Sequence, residues 1–121
     1  MAPRKNRSAN PLVTLGNMLS LVYDGIATAQ KGLLRNPSQE EERKLNRTLA
    51  RLELERAEIR AKLDALIAGA QNIAGPTPNQ VQEMSRLTAE VEGLTNASLT
   101  VSGAIALTSK ILDLAGKVAD A

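Results

Sequence analysis

The chain has 121 residues and a net charge of +2, with 15 basic side chains nearly balancing 13 acidic ones. It holds no Cys, His, Phe or Trp, and Tyr23 is its one aromatic residue; thiolate nucleophiles, imidazole bases and the usual zinc or haem ligand sets are therefore excluded. A core limited to Leu, Ile, Val, Met and Ala suits closely packed helices, and a chain of this length can bury a modest one as one domain.

Residues 1–9 are polar, basic and without a hydrophobic period, and are expected to form a basic flexible arm. Arg4, Lys5 and Arg7 are its candidate phosphate contacts. Asn10-Pro11 reads as a helix start, because Asn caps and proline's missing N–H has no helical partner at the first position. Leu12, Leu15, Leu19, Val22, Ile26, Ala29 and Leu33 then form one stripe of a helix over about 11–34, which Pro37 ends by pushing Asn36 off helical angles. A basic start, an apolar run and Ala27-Thr28-Ala29 loosely resemble a secretory signal. Pro11, Gly16, Asn17, Ser20 and Asp24 dilute that pattern, so an ordinary first helix is the better reading. No stretch is expected to be apolar enough to span a membrane.

A second helix over about 38–73 opens with Ser38 and Glu41, which fit a capping box, and Glu40, Glu41 and Glu42 suit the positive end of its dipole. Its apolar side chains step by four and three through Leu45, Leu49, Leu52, Ile59, Leu63, Leu66, Ala70 and Ile73, with Arg56 at one core position. Gly75, placed for a left-handed cap, and Pro76 are expected to end it. Thr77-Pro78-Asn79-Gln80 then starts a third helix over about 78–118, with Met84, Leu87, Val91, Leu94, Val101, Ile105 and Leu112 on its stripe. A 3.5-residue repeat on both sides of a Gly-Pro break predicts an antiparallel coiled-coil hairpin. In its seam Arg56 would set the register by reaching Glu92 or Glu53.

The first helix is the shortest and should fold back beside only part of that hairpin. Second stripes are present where it would lie: Ala50, Leu54, Ala57 and Ala61 on helix 2, and Ala97, Thr100, Ala104, Leu107, Ile111, Leu114 and Val118 on helix 3. The expected fold is all-α, a three-helix bundle base with a long antiparallel coiled-coil hairpin arm, with residues 10–121 as a single helical domain.

Helix 1 carries more apolar residues than its stripe requires. Val13, Met18, Leu21 and Tyr23, with Leu99, Leu107, Ile111, Leu114 and Val118 near the other terminus, are the candidate interface. The functional reading is a non-enzymatic structural or interaction protein that self-associates or docks into a larger assembly, without catalytic residues, cofactor or metal. A secreted or membrane-active protein that inserts its apolar helices is the first alternative. The second is a nucleic-acid-associated coiled coil using the basic arm. Arg43, Lys44, Arg47 and Arg51 would strengthen it, but no aromatics are available for base stacking and nearby glutamates offset the field. A cytoplasmic or assembly-bound location is favoured over secretion by a cleaved signal.

Overall fold

Side chains that bond to backbone amides fix the helix starts. Asn10 Oδ1 accepts from the Leu12 amide at 2.9 Å, with Pro11 in the first turn. The Ser38 amide donates to Glu41 Oε1 at 2.8 Å while the Glu41 amide donates to Ser38 Oγ at 3.1 Å. Thr77 and Gln80 make the same exchange at 2.9 and 3.2 Å, so both capping boxes are formed. The computed structural model describes residues 10–95 and 97–121; the basic arm with Arg4, Lys5 and Arg7 lies outside them. The described residues form four α-helices and no strand: α1 (Pro11–Leu33), α2 (Gln39–Ile67), α3 (Pro78–Gly93) and α4 (Val101–Asp120).

Two boundaries differ from expectation. α2 stops at Ile67, because Gly69 takes the left-handed conformation (φ 102°) and the Ala70 amide donates back to the Ala65 carbonyl at 2.9 Å. That helix-ending arrangement costs glycine no Cβ clash. Gly75 has another use: a Cβ there would stand 3.0 Å from Pro11 Cα, so its lack of a side chain lets the loop touch the start of α1. The expected helix over 78–118 is two helices. Beyond Gly93 the Thr95 amide donates to Ser98 Oγ at 2.9 Å and the Ser98 amide to Thr95 Oγ1 at 3.2 Å. Thr100 Oγ1 then accepts from the Gly103 amide at 3.0 Å and starts α4. Hydroxyl side chains offered the backbone an alternative to helical bonding, and the chain turned.

That turn changes the architecture. A Cβ on Gly25 would meet Leu52 and Ile111, and one on Gly32 would meet Leu45 and Ala104. Numbers rising along α1 thus fall along α2 and α4, so α1 runs antiparallel to both. α4 folds back on α3, with Lys110 Nζ 3.7 Å from Glu90 Oε1 and Gly93 and Leu94 beside Gly103 and Leu107. α1 and α4 form the buried centre, and α2 and α3 flank it on opposite sides without a packed seam between them. The three-helix base with a two-helix arm is therefore corrected to a four-helix bundle. Leu52, Ile59, Leu87 and Met84 do share a core, but they reach it from opposite sides, meeting Leu15, Met18, Val22, Ile111 and Val118. A smaller cluster of Ala29, Leu45, Leu99 and Ala104 closes the end where α4 starts.

One lysine ties the other end. Lys62 Nζ, on α2, donates to the carbonyls of Val118 at 3.1 Å, Ala121 at 2.8 Å and Ala74 at 3.4 Å. A cation there satisfies last-turn carbonyls of α4 and meets the negative end of its dipole.

Candidate interaction surface

The bundle places most of the expected interface in its interior. Met18, Leu21, Leu99, Leu107, Ile111, Leu114 and Val118 are all buried, so these seven residues are corrected from interface to core. The reason is that α1 is covered on three sides, by α2, α3 and α4, rather than on one. Folding consumes part of its apolar excess, while Leu12 and, just past its end, Leu34 stay exposed. Val13 (56% exposed) and Tyr23 (44%) remain outside. α1 also proves long and apolar enough, by length and composition, to cross a membrane, although 56% of its most apolar 18 residues is buried inside the bundle.

The register pair is corrected too. Arg56 forms no ion pair with Glu92 or Glu53; its guanidinium lies over the Tyr23 ring, 5.6 Å from the centroid, a cation–π contact across the α1–α2 groove. Glu92 is on α3, on the far side of the central pair, where it lines a groove of about 500 Å³ with Asn17, Ser20, Asp24 and Ser85. Partial burial, and then the nearby Glu92 charge, push the Asp24 carboxyl above its usual range.

A second carboxylate has a raised pKa in the open groove between α2 and α4, about 440 Å³, lined by Arg51, Glu55, Asp113, Gly116, Lys117 and Asp120. Burial is the main cause for Glu55, followed by the charges of Glu58 and Asp120, with Arg51 acting in the opposite sense. Its Oε1 is buried without a hydrogen-bond partner. Among the described residues no group of three or more metal-ligating side chains converges.

The surface that sequence reasoning misplaced is on α2. Only Leu45, Leu52 and Ile59 of its 29 residues are fully buried, so a single narrow stripe enters the groove between α1 and α4. Ala50, Leu54, Ala57 and Ala61, expected beneath helix 1, are all exposed, Leu54 at 65%. At about 100° per residue these four positions lie opposite the buried stripe. They therefore make a second seam, at i, i+4, i+7 and i+11, turned to solvent. The signal was present in the sequence; which helix would cover it was not.

No protein-family model, curated protein or solved structure matches the chain.

Proposed function

We propose that the chain is a non-enzymatic helical interaction protein, which self-associates or docks into a larger assembly through the outer face of α2. One observation supports this reading above the others: Leu54 and three alanines hold heptad register on the face opposite the core. Single exposed apolar residues are ordinary on any surface. Apolar residues in heptad step are different, because that spacing keeps one stripe facing a neighbouring helix. Arg47, Arg51, Glu53, Glu58, Arg60 and Asp64 border this seam as exposed charges, giving the apolar centre and polar rim of a small interface.

Sedimentation equilibrium of wild type and Leu54→Glu tests the surface. Wild type is expected to exceed its monomer mass of 12.9 kDa. The variant should retain its helicity and sediment as a monomer. If Leu54→Glu sediments like wild type, the outer face of α2 is not the contact.

A further inference from the structure

We infer that the partner of this face is a second copy of the chain, with the two α2 helices packed antiparallel about a two-fold axis between Leu54 and Ala57. The pairing rests on α2's outer face being the contact surface, and the charges beside that face select the occupant and its direction.

In the heptad defined by the seam, Arg47, Leu54 and Ala61 occupy one class of core position, and Ala50, Ala57 and Asp64 the other. An antiparallel two-fold pair sets one class against the other. Leu54 then meets Ala57 of the second copy, Ala50 meets Ala61, and Arg47 meets Asp64 at each end of the seam. The flanking positions obey the same symmetry, with Arg51 opposite Glu58 of the second copy and Glu53 opposite Arg60. Each contact occurs twice, and every charged one joins opposite signs. A parallel pair would instead put Arg47 against Arg47, Asp64 against Asp64 and Glu53 against Glu58, all repulsive. The monomer leaves these groups accessible: Arg47, Arg51, Glu53 and Glu58 are exposed, and the i,i+4 pair of Arg60 and Asp64 (3.5 Å) has side chains 58% and 61% exposed. Alanine at three of the four central positions lets two helix axes approach toward the short end of the usual 8–10 Å range.

From Arg47 to Asp64 the seam rises about 26 Å. Its apolar centre is small, so the dimer is weak and salt-sensitive, and charge pairing sets its direction more than its affinity. An acidic or basic unrelated helix would match only half of this alternating pattern. A second copy matches all of it.

The test uses full-length protein at about 100 µM in low salt, well above the micromolar scale of weak association. Wild type should sediment as a dimer. Arg51→Glu should weaken dimerisation at least about tenfold, a change of about 1.4 kcal/mol, and adding Glu58→Arg should restore it by exchanging the two signs. Because the chain has no cysteine, introduced thiols report orientation cleanly. Ala50→Cys mixed with Ala61→Cys should oxidise to the mixed dimer, and neither variant alone should cross-link efficiently. A monomeric wild type, a charge exchange that restores nothing, or efficient self-linking of Ala50→Cys each overturns antiparallel pairing. Self-linking together with a monomeric Leu54→Glu would still leave α2's outer face as the contact, whereas a Leu54→Glu dimer would remove the surface itself.

Discussion

Glu55 carries a pH dependence of stability, because its carboxylate must lose hydration at Oε1 without gaining a hydrogen bond. Its folded pKa lies above the ordinary value of 4.5, so the folded chain binds the proton more tightly than the unfolded one. Stability from this group is therefore fully present below pH 4.5 and is lost as pH rises through the raised folded value. Glu55→Gln removes the charge and should gain stability over wild type as pH rises from 4 to 7, with little difference at the acid end. Urea unfolding at several pH values measures this; a constant difference would contradict it. Two glycines of α1 give the opposite contrast. A Cβ on Gly16 meets nothing within 4 Å, whereas one on Gly32 would stand 2.9 Å from Ala104 Cβ. Thermal unfolding should show Gly16→Ala stabilising by about 0.5–1 kcal/mol and Gly32→Ala destabilising by about 1–3 kcal/mol.

At the scale of elements, Lys62 joins α2 to the last turn of α4 and to the loop before α3. Lys62→Met keeps the hydrophobic stem and removes three donated hydrogen bonds. It should cost about 1 kcal/mol and raise hydrogen exchange in the last turn of α4 above that of its centre. α3 is the most weakly held helix, with Met84 and Leu87 as its only buried side chains. Its amides should exchange through local opening faster than those of α1, and equal protection would show that the bundle opens only as a whole. The same elements show what the sequence made legible. Asn10, Ser38 with Glu41, and Thr77 with Gln80 were readable as helix starts because a cap bonds within its own few residues. The end of α2 is less legible: the Gly75-Pro76 pair predicts it too late, because Gly69 ends the helix and Gly75 packs against Pro11 instead. The break at 94–100 was hidden by apolar residues that keep heptad step across Ser98, although Thr95, Ser98 and Thr100 all favour caps. A helical period says which residues share a face. It does not say which neighbour covers that face, and so the period alone places Leu54 inside and Met18 and Leu21 outside, the reverse of what the bundle does.

At the scale of the whole molecule, the central pair joins α1 to α4, the helices furthest apart along the described chain. Leu15, Met18 and Val22, all at zero exposure, share one core cluster with Ile111 and Val118. A ribosome delivers the chain from its N-terminus, so α1, α2 and α3 emerge before the helix that completes their burial exists. The α1–α2 hairpin is the only tightly packed unit available until then, and it would hold its apolar groove open to solvent. Closure of the core thus waits for α4 to follow the other three helices, and until it docks the groove stays open to a wrong neighbour.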